Sequence, residues 1–309
     1  MNGTEDVQPF GVSGTVLLTG GSSGLGLDAG RQLAAKGANV IIIARKVENS
    51  RTGIASISES ATNQRFHDVS ADLRSAAECE RTVAEATAWN NGVPPDIVWC
   101  CQGYSHPTPF INTPVEKFQD QMDSNYFSCL YIAHAVLNRW LRPGTSASSH
   151  ASLAPKAAGN ADNSPTAATV PSAKTSSSQT RHLIFTSSFV SFVSFAGYSP
   201  YSPSKIAPRS LAETLASEMH LYAGAHPSLP CVRIHTVYPA TIKTSGLDAE
   251  NLIKTDVTKM LEEGDEGESA ADCARAAIRG LQGGGGVVTT RWMTWAVWCS
   301  GLGAAERGG

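Results

Sequence analysis

Short apolar runs alternate with amphipathic stretches along most of this chain. Residues 16–19 are apolar and stop in a glycine turn. Residues 24–36 follow with helical spacing, and 40–44 form a second buried run. This β-α-β unit implies a parallel sheet. A weaker third strand is predicted at 65–73, a helix at 78–89, and a fourth strand at 96–101, running into Gly103. Residues 115–140 carry one long helical pattern. A fifth strand is expected at 182–187 and a helix at 201–222, despite Pro203 and Pro208. A sixth strand at 232–238 ends at Pro239. The alternation predicts an α/β fold: a single doubly wound Rossmann-type parallel sheet with helices on both faces, in one domain over 1–309.

One stretch breaks the rhythm. Residues 143–180 are Ser, Ala, Thr, Pro and Gly with almost no large apolar side chain. Such a segment cannot bury enough surface to offset its ordering entropy, so a disordered insertion is expected there. Hydrophobic residues make up 41% of the 309, which suffices for a full core. The net charge of −3 excludes the basic footprint of a nucleic-acid partner. The seven cysteines show no CxxC spacing, and no metal site is expected. Cys100 and Cys101 lie inside an apolar run, as buried thiols of a reducing compartment do. The first ten residues lack the marks of a secretory leader, and no run of 18 apolar residues spans a bilayer.

Thr19-Gly20-Gly21-Ser22-Ser23-Gly24-Leu25-Gly26 follows the first strand and opens the first helix. Glycines there let backbone approach a pyrophosphate, which rests on the free N–H groups of the helix N-terminus. A tight strand-to-helix turn would use the same residues. The position at the first βα junction favours a dinucleotide. The end of the second strand reads Ala44-Arg45-Lys46, with no carboxylate before Glu48. An acidic residue there would bind the ribose 2′-OH, whereas cations accommodate a 2′-phosphate, so NADPH is the expected cofactor.

Tyr201-Ser-Pro-Ser-Lys205 begins a helix, and residues four apart share a helix face. A neighbouring ammonium is expected to lower the tyrosine pKa and make Tyr201 a usable proton donor. Ser188, at the end of the fifth strand, is placed to hold a carbonyl, with Ser187 beside it as an alternative. Asn125, inside the long helix, is a candidate water ligand behind the lysine. Each residue alone has an ordinary explanation as surface or strand end. Their joint order after a cofactor turn does not.

These motifs resemble the short-chain dehydrogenase/reductase family over residues 14–290, the insertion excepted. The family turn TGxxxGxG matches Thr19 to Gly26, and its Asn-Ser-Tyr-Lys tetrad matches Asn125, Ser188, Tyr201 and Lys205. The resemblance implies that Asp72 and Leu73 hold adenine. It implies that Pro239, Ile242 and Thr244 position the nicotinamide, and that Lys205 touches its ribose. Where the family has NNAG, this chain has Cys100-Cys101-Gln102-Gly103. Only Gly103 is carried over, as backbone against adenosine. Many relatives form homodimers or homotetramers through the helices flanking the fifth strand.

Finer resemblance points to the fungal 3-ketodihydrosphingosine reductases, through residues 193–205, 238–242, 246–251, 261–267 and 96–101. The implied reaction is reduction of the C3 ketone of 3-ketodihydrosphingosine. Another lipophilic ketone, or a nucleotide-binding regulator without catalysis, is the alternative. Phe189, Phe192, Phe195 and Tyr198 either line an acyl channel or belong to the core. Asp248, Glu250, Glu262, Glu263, Asp265 and Glu266 either attract the substrate ammonium or face solvent. The resemblance also implies the cytosolic face of the endoplasmic reticulum membrane and an apolar tail after the polar end Glu306–Gly309. Within 291–309, Trp292, Trp295 and Trp298 recur every third residue. They read as interfacial anchors or, for Trp292 above all, as a cap on the core.

Overall fold

The computed structural model describes residues 10–11, 14–142 and 180–302. The insertion expected at 143–180 therefore lies outside the described residues, Thr180 excepted, as do 303–309. In chain order the elements are β1 (Thr15–Thr19), α1 (Gly24–Ala35), β2 (Asn39–Ala44), α2 (Val47–Ser58), β3 (Phe66–Ser70), α3 (Ala76–Trp89) and β4 (Ile97–Cys100). Then come α4 (Val115–Met122), a π-helical turn (Asp123–Phe127), α5 (Ser128–Leu141), β5 (Arg181–Thr186), α6 (Tyr201–Ala225) and β6 (Val232–Tyr238). The rest is β7 (Ile242–Lys243), α7 (Ser245–Asn251), α8 (Asp256–Leu261), β8 (Glu268–Ser269), α9 (Ala270–Gln282), β9 (Val287–Thr289) and α10 (Trp292–Leu302).

The main sheet of the described residues has seven strands in the order β3-β2-β1-β4-β5-β6-β9, every pair parallel. The order reverses between β1 and β4, and such a switch point opens a crevice at the carboxyl ends of the strands. Alternate residues of each strand point to opposite faces. Leu17, Ile41, Ile43 and Val98 pack under α3, α5 and α6 with Cys79, Ile132 and Val136. Val16, Leu18, Ile42 and Trp99 pack on the other face with Ala29 and Leu33 of α1 and Ile278 of α9. Both faces being covered explains why the strands read as continuous apolar runs.

Two expectations are revised. The third strand ends at Ser70, because Asp72 starts a turn in which its carboxylate accepts the Arg74 backbone N–H at 3.1 Å. The long helical pattern is two α-helices joined by the π turn, which contains Asn125.

Candidate active site

A cleft of about 1200 Å³ opens at the switch point. Its first wall is the glycine turn. Gly20 has φ +65°, and a Cβ there would lie 2.9 Å from the Gln102 backbone. A Cβ on Gly26 would lie 2.5 Å from the Gly20 carbonyl oxygen. Side chains at either place would push the turn off β4 or push α1 off the turn. Ser23 caps α1 without a side-chain hydrogen bond, leaving its hydroxyl and the first helical N–H groups for a ligand. Ser22, Leu25, Arg45, Lys46, Asp72, Leu73 and Gly103 also line the cleft, as do Pro239, Ile242 and Thr244. Thr19 does not. It is fully buried, and its hydroxyl accepts the Cys101 N–H at 3.1 Å and meets Gln102, so it fastens the turn to β4.

Asn49, Arg74 and Tyr104 line the same end and were not expected. Arg74 bridges Asp72 at 2.6 Å and Asp120 at 3.3 Å. Its guanidinium holds the Asp72 carboxyl below its ordinary pKa. The spacing Asp72-x-Arg74 carried that signal.

At the inner end, Ser188 and Tyr201 both line the cleft, and Lys205 follows one turn along α6. Ser187 also lines the cleft, but its hydroxyl donates to the Lys205 carbonyl at 2.7 Å, which separates the two serines. The Lys205 Nζ donates to the Thr186 carbonyl at 3.1 Å and lies 5.9 Å from the Tyr201 ring centre. The expected lowering of the Tyr201 pKa is overturned. Burial raises it, the nearby Glu250 raises it further, and the Ser188 hydroxyl opposes them. Burial also lowers the Lys205 pKa. Desolvation of a charged form outweighs the attraction of an ammonium whose bond is spent on a carbonyl.

Asn125 lies behind this group rather than in the cleft wall. Its carboxamide accepts the Tyr104 N–H at 3.0 Å and donates to the Tyr104 carbonyl at 3.0 Å and to Ser204 at 2.9 Å. The side chain expected to bind water is a clamp here. Gly103 explains the closeness: a Cβ there would lie 2.5 Å from Asn125 Oδ1 and 3.2 Å from Lys205 Nζ.

The outer wall is formed by 189–198, α7, the end of α8 and the start of α10. The four aromatics divide. Phe189 and Phe195 stack at 5.9 Å and line the cleft with Tyr198. Phe192 packs instead on Tyr238 at 4.5 Å. The acidic residues divide as well. Asp248, Glu263, Asp265 and Glu266 are exposed, while Glu250 and Glu262 are partly buried. Trp292 and Trp295 are exposed at 76% and 56%, which overturns their reading as a core cap, and Trp298 is half-buried.

The short chain dehydrogenase family matches residues 14–157 and 164–253. The 3-ketodihydrosphingosine reductase ksrA of Aspergillus fumigatus is 41% identical, over 96% of this chain and 77% of that protein. The 3-ketodihydrosphingosine reductase gsl-3 of Neurospora crassa is 35% identical, over 95% of this chain and 73% of that one. Among solved structures, a short-chain type dehydrogenase/reductase from Mycobacterium ulcerans superposes with a TM-score of 0.66 at 19% identity, covering 89% of this chain and 86% of that one. Levodione reductase superposes at 0.65 with 19% identity, covering 89% and 95%. Sheet order, glycine turn and relatives agree: the chain belongs to the short chain dehydrogenase family and is a nicotinamide-dependent oxidoreductase acting on a ketone.

Proposed function

We propose that the chain reduces the C3 ketone of 3-ketodihydrosphingosine to sphinganine, using NADPH. One observation carries the chemistry: Ser188, Tyr201 and Lys205 line the same cleft as the glycine turn. The substrate comes from relatives of that name that match nearly the whole chain.

The bound cofactor supplies the hydride that the ketone carbon accepts. Ser188 and Tyr201 hold the carbonyl oxygen by hydrogen bonds. The alkoxide oxygen that forms takes the Tyr201 phenolic proton, and a secondary alcohol results. A buried phenol with a raised pKa stays protonated until that oxygen becomes basic, which suits a general acid. Lys205 stabilises the phenolate left behind, and solvent returns the proton. The glycine turn and Ser22, Ser23 and Leu25 seat the pyrophosphate. Arg45 and Lys46, both exposed at the end of β2, receive the 2′-phosphate, with Arg74 beside them. Asp72 and Leu73 border adenine, and Pro239, Ile242 and Thr244 border the nicotinamide.

The outer mouth carries exposed Leu261, Trp292 and Met293, with exposed Trp295 three residues further along α10. No helix of the described residues is long and apolar enough to cross a membrane. We propose that this mouth rests on the cytosolic face of the endoplasmic reticulum membrane, where tryptophan favours the headgroup level. The chain works as one domain, paired or tetrameric through α5 and α6.

The deciding experiment follows NADPH oxidation with 3-ketodihydrosphingosine, a 3-oxosteroid and a 3-ketoacyl thioester. Turnover of the first well above the others is expected. Equal or greater turnover of either other ketone overturns the substrate. Flotation with anionic vesicles tests the mouth: Trp292→Ala with Trp295→Ala should reduce binding. Equal binding by both proteins overturns the docking.

A further inference from the structure

The outer wall holds a charged cluster that the reduction itself does not use. Tyr198 Oη donates to Glu250 Oε1 at 2.7 Å and also contacts Glu262. Lys254 Nζ lies 2.9 Å from Glu250 Oε1 and 2.6 Å from Glu262 Oε2. The Lys254 side chain is 1% exposed, that of Glu250 15%, and that of Glu262 31%. Lys254 is thus enclosed, while Glu250 and Glu262 reach the cleft. Two carboxylates share one ammonium, and Tyr198 has a single hydroxyl proton for both of them. The cluster carries one more negative charge than positive, and a partly buried charge without full compensation is costly.

Its position tells what completes it. Tyr198 packs beside Tyr201 with ring centres 5.9 Å apart and the rings tilted by 49°, so the cluster adjoins the reacting phenol. A cation bound there lies next to the carbonyl being reduced. A ligand with an ammonium on the carbon adjoining its ketone meets both demands at once. Resting on the proposed substrate, we infer that Glu250, backed by Glu262, receives the ammonium of an α-amino ketone and selects such substrates over amine-free ketones. Lys254 and Tyr198 are positioning residues, which fix the two carboxylates and leave one charge for the ligand. A second consequence concerns the acid. The Glu250 charge makes Tyr201 a weaker acid, and a substrate ammonium on Glu250 relieves that effect. The right substrate therefore improves its own proton donor.

The test compares kcat/KM for a long-chain α-amino ketone and for the same chain without the amine, in the unaltered protein, Glu250→Gln and Glu250→Asp. The unaltered protein should prefer the amino ketone. Glu250→Gln should cut that preference about tenfold or more, the scale of one hydrogen bond to a charged group. Glu250→Asp should restore part of it. On the unaltered protein, inhibition by the amino-diol product should weaken about tenfold on N-acetylation, a reading that does not depend on any variant folding. An unchanged preference in folded Glu250→Gln, or equal inhibition by both diols, overturns the inference and leaves the ketone reduction standing. No turnover of either ketone by the unaltered protein overturns the proposed function, and this inference with it.

Discussion

At the nucleotide end of the cleft the wall is backbone, and it comes from neighbouring residues. Gly20, Gly24 and Gly26 lie within one turn, and what matters there is the absence of a Cβ. At the substrate end the wall is side chains brought from far apart. Tyr198, Glu250, Lys254 and Glu262 meet through contacts that span up to 64 residues. The first arrangement recognises what every dinucleotide shares, a pyrophosphate. The second can recognise one functional group on one substrate, because each member can be exchanged singly. A family can therefore keep the first and vary the second.

Four substitutions break or sharpen that contrast. Tyr201→Phe, at the boundary between the two ends, should lower kcat by about 10²–10⁴-fold. NADPH affinity, read by fluorescence titration, should hold. Arg45→Asp removes a cation and adds an acceptor for the ribose 2′-OH. The kcat/KM ratio of NADPH to NADH should fall by about 10–100-fold, the scale of a lost charge-assisted hydrogen bond. Gly26→Ala forces a methyl onto the Gly20 carbonyl. It should weaken NADPH binding about tenfold and lower the melting temperature, since overpacking costs roughly 1–3 kcal/mol. Tyr198→Phe removes one hydroxyl from the substrate wall. KM for the amino ketone should rise about 2–10-fold with nucleotide affinity unchanged, part of the worth of one hydrogen bond to a charged group, because Tyr198 acts through Glu250. Calorimetric titration with NADPH checks that last clause.

The same contrast explains what was legible in the sequence. The glycine turn is local, and its spacing names the residues that approach a ligand. Tyr201 and Lys205 are four apart on one helix, and they too can be read from spacing. The Ser187–Ser188 ambiguity could not be settled that way. It is decided by the Lys205 carbonyl, which takes the Ser187 hydroxyl. Nor could Glu250 be told from Asp248, because its inward turn depends on Tyr198 and Lys254. The elements α2 and α9 were legible but unread: Cys273, Ala274, Ala277, Ile278 and Leu281 of α9 fall on one buried stripe. β9 is three residues long and leaves no periodicity to find. The sign of the Tyr201 shift went wrong because proximity to Lys205 is visible in sequence and burial is not.

The π-helical turn at Asp123–Phe127 amounts to one extra residue in an otherwise continuous helix. Each α-helical residue rotates the chain by about 100°. A helical wheel drawn unbroken from Val115 to Leu141 therefore assigns one half of the rod to the wrong side. Removing a single residue from the turn would straighten the rod and swing α4 away from α6 by that angle, while α5 stayed seated on the sheet. Asn125 would leave Tyr104 and Ser204 in the same rotation. For this stretch an indel is a graver change than most substitutions, and comparison of homologous chains has to track its length as closely as its letters.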